Sequence, residues 1–585
     1  MTAMSAMTTS VHPMDARPIT SINLSLKPIY NRDKSIKSLF VISSNRFEHN
    51  NNQKPLEEAT TSTRTNKDNI DNTITIQLQY NKTGSEIMTE PPWIIEEADR
   101  CRYGLKEQEV IATNQLHNVI LGSPDPDSTW STISKVVSAV HSQNDQQYIQ
   151  LFETKLRSPL KAFILSLLSK CNWTLNVLHL GFEDNGNKNP IVIHIFIQEP
   201  HYFKNNKTAA LEIVKGIERI VYKEYKVLEK NPNEVNDTGV NLTKQLNNTN
   251  SELTPHPGSS IGRKNGNAAG SLSCFLKHKG DAYSLTCRHV VFTEEESPEA
   301  YRYESGKEKL HISVPTTNDL NNTRVGLKSD LESEIKKLNT LQEKVSSPKK
   351  IETQELIIEV WTRLYADAAE YNNNAGYIYA APESWHKNDN YKGVLDWAII
   401  CDSCIDPENA LPQTNFLLKD DVRKFIKYQK VHVWSGDQSA EFDAKYQALQ
   451  DSAKFNIKYL NPSISTLSEN SIYFKAPSRT SDWKACVINS IKSIKHSKYQ
   501  TSDEYAFVGK GLKAISAKGD SGALIYEISA GTPALIPMAM VWGGNVMGTV
   551  IVEGFLDVTY ATPMDVLLED IENEMEWDRG SLEFL

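Results

Sequence analysis

From residue 258 onward the sequence is a succession of short apolar runs divided by turn-forming residues, and this texture limits the fold more than any other feature. The runs are Leu272–Leu276, Ala282–Val291, Gly376–Ala380, Val394–Ile400, Val431–Trp434, Ile472–Lys475, Ala523–Ile528, Leu535–Val541 and Thr549–Val552. Each is short for a helix, and they do not alternate with helical segments as βαβ units do. An antiparallel barrel or sandwich is therefore expected. One stretch breaks the pattern. Leu331, Ile335, Leu338, Leu341 and Val345 form a helical stripe, Pro348 interrupts it, and Leu356, Val360, Trp361 and Leu364 resume it. That spacing predicts an inserted helical hairpin over about residues 325–370. Thr562-Pro563 then leads into a terminal amphipathic helix over Met564–Met575.

The region before residue 258 has a different texture. Residues 1–90 are rich in Ser, Thr, Asn and Met and are expected to form a disordered leader, with short strands around Phe40–Ile42 and Ile74–Leu78. Residues 91–230 read as a small α+β domain. Val119–Leu121, Leu175–Leu180 and Ile191–Ile197 are expected strands, and Ile133, Val136, Val137 and Val140 fall on one helical stripe. Tyr148–Ser169 reads as a helix broken near Pro159, and Leu211, Val214, Ile217 and Val221 mark another. His179 and His194 lie inside strand patterns, as packed histidines do. Residues 231–257, dominated by Asn, Thr, Ser and Pro, read as a linker.

Composition narrows the function classes. No run approaches the roughly 18 consecutive apolar residues of a membrane span, and no basic segment followed by an apolar one opens the chain. An intracellular, cytoplasmic location without membrane partners is the expectation. A net charge of −10 over 585 residues argues against nucleic acid as a partner, because phosphate binding needs clustered positive charge. Seven cysteines are too sparse for a disulfide scaffold. The one tight pair, Cys401 and Cys404, has no second pair to complete a four-ligand zinc site, so neither metal nor organic cofactor is expected.

Three segments of the β-rich half carry chemistry together. Ser284–Phe292 is a strand that delivers His289 at its end. Gly393–Ile400 places Asp396 before an apolar run. Lys518-Gly519-Asp520-Ser521-Gly522 sets a serine in a glycine-flanked turn. A serine hydroxyl needs an adjacent base, histidine can take and return that proton near neutral pH, and a buried carboxylate holds the imidazole in the useful tautomer. Gly519 permits a turn in which the amides of Gly519 and Ser521 face a developing oxyanion. Asp389 and Asp402 lie close in sequence, and Asp396 is preferred because Val394, Leu395 and Ala398–Ile400 would bury it.

These segments resemble the trypsin/chymotrypsin-like serine proteases. Gly519-Asp520-Ser521-Gly522 is similar to the nucleophile signature of that family, and the order His289, Asp396, Ser521 is similar to its triad. Thr286-Cys287-Arg288-His289 resembles its histidine segment, Ala539–Gly544 its substrate-binding strand, and Tyr560–Pro563 its closing strand. Within the family the likeness is closest to fungal-type intracellular proteins with long N-terminal extensions. It covers about residues 258–580. It implies a mainly β, two-barrel protease domain with a helical insertion, preceded by the small α+β domain and the leader. The implied activity is hydrolysis of protein or peptide substrates through His289, Asp396 and Ser521, with Gly519 and Ser521 as oxyanion amides. Ile515 would form the base of the specificity pocket, beside Trp542, Gly543 and Val558, which implies an apolar side chain before the cleaved bond. The alternatives are an inactive protease-fold binding or regulatory module and a protease acting mainly on its own linker. Residues 91–230 or the helical insertion would then hold a protein partner.

The sequence departs from the family in two respects. The secreted digestive members pair the aspartate matching Asp520 with a new N-terminus, yet no Arg-Ile/Val-Val-Gly-Gly segment precedes this domain. Ser260-Ile261-Gly262 is the nearest candidate. Cys274 and Cys287 flank the histidine on the same side, so the family's disulfide there is not indicated. The 107 residues from His289 to Asp396 exceed the family's usual spacing, and the helical insertion accounts for the excess.

Overall fold

The computed structural model describes residues 135–182, 189–197, 207–225, 255–292, 299–343, 347–388, 390–402, 473–497, 500–509, 514–528, 534–544 and 558–585, with short strands at 42–44, 72–77, 93–94, 112–113 and 456–457. The expected runs Val119–Leu121, Val431–Trp434 and Thr549–Val552 lie outside these residues, as do Asp389 and Cys404.

The first unit is a mostly antiparallel sheet under helices. Its elements are β1 (Ile42–Ser44), β2 (Asn72–Gln77), β3 (Trp93–Ile94), β4 (Ala112–Thr113), β5 (Val136–Ser138), α1 (Ser142–Leu151), α2 (Arg157–Leu168), β6 (Trp173–Gly181), β7 (Ile191–Ile197) and α3 (Lys207–Tyr225). β7 lies between β2 and β6, and β5 pairs with β6. β1 also meets β7 in parallel, and β3 and β4 form a separate pair. β6 and β7 are buried along their whole length, including the polar Thr174, Asn176, His179 and His194 among their apolar residues. One face packs Leu160, Ile164, Ile213 and Ile217 of the helices on Trp173, Leu175, Ile193 and Ile195. A π-turn over Phe152–Leu156 separates α1 from α2, so the break comes before Pro159, which the first turn of α2 tolerates. The expected helical stripe through Val136, Val137 and Val140 is corrected. Val136–Ser138 is a strand in register with His179–Gly181, and edge pairing suits two adjacent β-branched residues better than a helix.

The next unit is a curled sheet. It comprises β8 (Ser260–Arg263), β9 (Gly270–Ser271), β10 (Cys274–His278), β11 (Asp281–Thr286), the one-turn α4 (Arg288–Val291), β12 (Tyr301–Arg302), β13 (His311–Ser313), α5 (Thr317–Glu343), α6 (Pro348–Glu370), β14 (Asn374–Ala381) and β15 (Ala398–Asp402). The order β10-β11-β15-β14-β13-β8-β9 is antiparallel throughout. α5 and α6 form the expected hairpin, with Pro348 at the start of the second helix, where a missing N–H does no harm. Val325, Ile335, Leu356, Ile357 and Val360, the exposed large apolar side chains among the described residues, all lie on this hairpin.

The last unit is a closed barrel. β16 (Asn456–Ile457) flanks it; β17 (Tyr473–Lys475), β18 (Lys484–Ile488), β19 (Ser493–His496), β20 (Thr501–Gly509), β21 (Leu524–Ile528), β22 (Ala534–Gly544), β23 (Thr559–Pro563), α7 (Met564–Glu574) and β24 (Glu583–Phe584) follow. The ring β17-β18-β20-β23-β22-β21 returns to β17, so no edge is left within it. β24 crosses back to pair with β10 of the first barrel. The mainly β, two-barrel architecture with a helical insertion is thus the fold of the chain. No described helix is long and apolar enough to cross a membrane.

The α+β unit and the second barrel share a sheet. β19 pairs on one side with β20 and on the other with β6, matching Ile494 to Leu175 and His496 to Trp173. Asn489 seals the joint: its Nδ2 donates to Val177 O (3.0 Å) and Ile491 O (2.6 Å), and its Oδ1 accepts the Val140 amide (2.8 Å). Ile494 is fully buried in the helix-covered core. Ile494→Ala should lower unfolding free energy by about 2–5 kcal/mol, the usual range for a buried isoleucine truncation. Chemical denaturation measures this, and a loss under about 1 kcal/mol would contradict a tightly packed joint.

Candidate active site

Three chain segments converge where the two barrels meet. β11 ends at Thr286, whose hydroxyl donates to Ser271 O (2.9 Å). Cys287 stays extended and the chain then turns into α4. His289 therefore sits in a single helical turn rather than at the end of the strand. That turn aims its backbone N–H at Asp396 Oδ1 (3.1 Å), so Asp396 grips both the main chain and the ring. Arg288 is buried behind it, donating from Nε to Pro382 O (2.7 Å) and lying over the Phe292 ring.

Asp396 precedes β15 in a segment held from several sides. Leu395 N–H donates to His386 O (2.9 Å), Val394 N–H to Glu504 Oε1 (3.0 Å), and Trp397 Nε1 to Asp570 Oδ2 (2.8 Å). Asp402 lies at the far end of β15, in register with Gly376. Burial pushes the Asp396 carboxyl up, but the His289 ring, its hydrogen bonds and the Arg288 guanidinium outweigh this and hold it below the ordinary carboxylate range.

Ser521 completes the line. Its Oγ lies 2.9 Å from His289 Nε2, while His289 Nδ1 hydrogen-bonds Asp396 Oδ2. The His289 side chain is 44% exposed and that of Asp396 12%, so the imidazole is open to solvent and its carboxylate partner is not. The turn is fixed by the backbone: Ser271 N–H donates to Ser521 O (2.7 Å), and Gly522 N–H to Val541 O (2.7 Å). Gly519 and Gly522 have φ of +103° and +96°. A Cβ on Gly522 would stand 2.0 Å from Ser271 O, so this residue is glycine for both conformation and space. Among the described residues no acceptor takes the Gly519 or Ser521 amide, leaving both available for an oxyanion.

The remaining expected residues are distributed as follows. Trp542 and Gly543 end β22 beside Tyr560, at the edge of the site. Ile515 is fully buried in the core of the second barrel, next to Ser516, whose hydroxyl meets that of Thr559 at 2.5 Å. Lys495, not anticipated from sequence, lies over the rings of Trp542 (4.2 Å to centroid), Trp385 (5.3 Å) and Tyr560 (5.7 Å), and its Nζ is 3.8 Å from where a Gly543 Cβ would be. Tyr560 Oη in turn donates to Asn176 Oδ1 of β6 (3.2 Å), so the α+β sheet supports the back of this edge. The alternation in Ser493-Ile494-Lys495-His496 was the available signal for Lys495, because Ile494 faces the core and its neighbours face the other way.

Cys287, His289 and Asp396 bring ligand-type atoms within 4.8 Å of one another. Burial, reinforced by Asp396, holds the Cys287 thiol well above its ordinary range, and its Sγ hydrogen-bonds Val541 O (3.3 Å). A protonated thiol is a poor metal ligand, and His289 Nδ1 is committed to Asp396, so the cluster suits proton handling better than metal binding. Cys274 and Cys287 are both free thiols.

Comparison with known proteins finds no matching family model and no matching curated protein. Among solved structures, the chain is similar to a glutamic-acid-specific serine protease described as using a histidine triad in substrate binding. The TM-score is 0.25 at 10% identity, covering 56% of this chain and 99% of that one. It is also similar to protease A of Thermobifida fusca, with TM-score 0.25 at 9% identity, covering 56% of this chain and 97% of the other.

The carboxyl that holds the Asp396 segment has a pH signature of its own. Glu504 is fully buried, its Oε2 has no hydrogen-bond partner among the described residues, and burial pushes its pKa up to about 7 against the opposing Ser502, Val394, Lys495 and Lys387 contacts. The folded state keeps this proton where the unfolded chain has released it, so stability falls as pH rises from about 4.5 to about 7. The rise corresponds to about 3 kcal/mol. Denaturation curves across that window should show a larger loss in the wild type than in Glu504→Gln, the difference being the Glu504 contribution. Parallel pH profiles for the two proteins would contradict this reading.

Proposed function

We propose that the chain is a serine endopeptidase that hydrolyses peptide bonds through an acyl-enzyme on Ser521. The observation that carries this reading is the continuous hydrogen-bonded line from Ser521 Oγ through His289 to Asp396, with the hydroxyl 2.9 Å from Nε2. An inactive binding module would have no need to keep that contact short, beside two unoccupied amides.

The chemistry follows from the atoms. His289 Nε2 removes the Ser521 proton as Oγ attacks the scissile carbonyl carbon. Asp396, ionised and buried, keeps the Nδ1 proton in place and stabilises the imidazolium that forms. The carbonyl oxygen becomes an oxyanion that the Gly519 and Ser521 amides, which have no acceptor among the described residues, would stabilise. His289 returns the proton to the leaving amine, the C–N bond breaks, and the acyl group remains on Oγ. Water, deprotonated by the same nitrogen, then attacks the ester; the bond to Oγ breaks and the serine regains its proton. No cofactor enters this scheme. For substrate choice, Trp542 and Gly543 would supply the strand edge for the peptide, whereas Ile515 and Val558 are packed into separate parts of the core.

Two sets of measurements test this. A fluorophosphonate probe should label the intact wild type and leave Ser521→Ala unlabelled; a folded wild type that resists labelling would overturn the reading. Asp396→Asn should fold and lower kcat on a peptide substrate by about 10⁴-fold, since the wrong tautomer of His289 is then held. A kcat within a factor of ten of wild type would remove Asp396 from the mechanism.

A further inference from the structure

The Asp520 carboxylate, one residue before the nucleophile, is buried and surrounded by donors. Oδ1 accepts hydrogen bonds from Ser478 Oγ (2.6 Å), Thr480 N (3.1 Å) and Ser481 N (3.1 Å). Oδ2 accepts from Ser481 Oγ (2.5 Å) and Ala517 N (2.9 Å). The cation of the cluster is internal. Lys475, at the end of β17, has its Nζ 3.6 Å from Asp520 Oδ2, and both side chains are essentially inaccessible to solvent, at 0% and 1%. The same ammonium donates to Ala476 O (2.8 Å), Ser478 Oγ (2.7 Å) and Ser481 O (3.4 Å). Every strong acceptor and donor of the pair is therefore matched, as a buried ion pair requires.

We propose that Lys475 is the positioning residue that holds the Gly519–Gly522 turn in its working shape, so that the intact chain has an assembled oxyanion site without a newly cut N-terminus. The inference rests on the protease reading above. It follows from saturation and from the course of the chain. With five hydrogen bonds and an ammonium on two carboxylate oxygens, Asp520 has no vacancy for a second amine. Nor is the stretch that would have to supply one loose. Ser260-Ile261-Gly262 lies in β8, between β9 and β13, with Ile261 fully buried, and Gly258 packs directly on the Pro477 carbonyl. The loop that wraps Asp520 is anchored on its outer side as well. Arg479 makes two bonds to Asp319 in the first turn of α5 (2.7 and 3.0 Å), and its guanidinium flanks Gly519.

Lys475 acts at a distance from the chemistry, through Asp520 and then the peptide units of Gly519 and Ser521. Burial raises the Asp520 carboxyl, but Lys475 and the Ser478, Ser481 and Ala517 hydrogen bonds outweigh it, so the carboxylate stays ionised inside the protein. Burial likewise draws the Lys475 ammonium down from its ordinary range, against the pull of Asp520. The donors around Asp520 establish the charged pair as the governing state.

The test uses the full-length chain, shown intact by mass spectrometry, and the second-order rate of fluorophosphonate labelling with kcat and KM on a peptide substrate. Intact wild type should label. Lys475→Met, checked for folding by near-ultraviolet circular dichroism, should label and turn over about 10²–10³-fold more slowly, the magnitude expected for a lost oxyanion contact, with KM little changed. If Lys475→Met does not fold, the double variant Lys475→Met/Asp520→Asn, which leaves no lone buried charge, is used; it should fold with the same loss in kcat. A folded single or double variant that labels at the wild-type rate overturns the role of Lys475 while leaving the protease reading in place. Labelling of the wild type only after cleavage ahead of residue 260 overturns the claim that the intact chain is assembled. An intact and a cleaved wild type that both fail to label overturn the protease reading itself.

Discussion

A carboxylate buried beside Ser521 has to be neutralised from within the fold, and much of the site's geometry follows from how this chain does so. Asp520 draws in Lys475 from β17, Ser478 to Ser481 from the following loop and Ala517 from its own turn. Those contacts anchor Asp520 between Gly519 and Ser521. Gly519 and Gly522 have positive φ in the turn that sets the Ser521 hydroxyl 2.9 Å from His289 Nε2. The loop that serves Asp520 also carries Arg479 to Asp319, so the first turn of the helical hairpin is part of the same bonded network. The hairpin is consequently joined to the site at its base, while its exposed apolar side chains lie farther along both helices.

The second structural theme is the use of the α+β unit. Its central strand β6 extends the sheet through β19, and Asn176 on that strand receives both Ser493 Oγ (2.5 Å) and Tyr560 Oη (3.2 Å). Tyr560 lies beside Trp542 and Gly543, and Lys495 is carried on β19 itself. The strand edge proposed to hold substrate is thus built partly by residues more than three hundred positions earlier in the chain. An added unit that shares a sheet can position a groove more rigidly than one tethered by a linker, because every hydrogen bond of the shared strand resists relative motion.

What the sequence made legible was chemistry with a local signature. Gly519-Asp520-Ser521-Gly522 declares itself because two glycines are needed where φ is positive, and Asp396 could be chosen over Asp402 because its flanks are apolar on both sides. The hairpin and the terminal helix were legible from their 3.6-residue periodicity. The features that escaped are those created by long-range pairing. Val136 and Val137 fit a helical stripe, yet the waiting edge of β6 makes them a strand. Lys475 looks like an ordinary exposed strand lysine until the barrel closes around it. Lys495 and Trp385 come from distant segments and meet only in the fold. The sequence shows that no Arg-Ile/Val-Val-Gly-Gly segment precedes the domain, but nothing local points to Lys475 as the neighbour of Asp520.

Acylation of Ser521 in the intact chain is the direct measure of the proposed chemistry. Mixing the full-length protein with a p-nitrophenyl ester at mildly acidic pH, where deacylation is slow, should release a burst of about one equivalent of nitrophenol. Digestion and mass spectrometry should then find the acyl group on the peptide containing Gly519–Gly522. A burst of that size with the adduct on Ser521 is the predicted result. Nitrophenol release without a burst, or an adduct elsewhere, would contradict it.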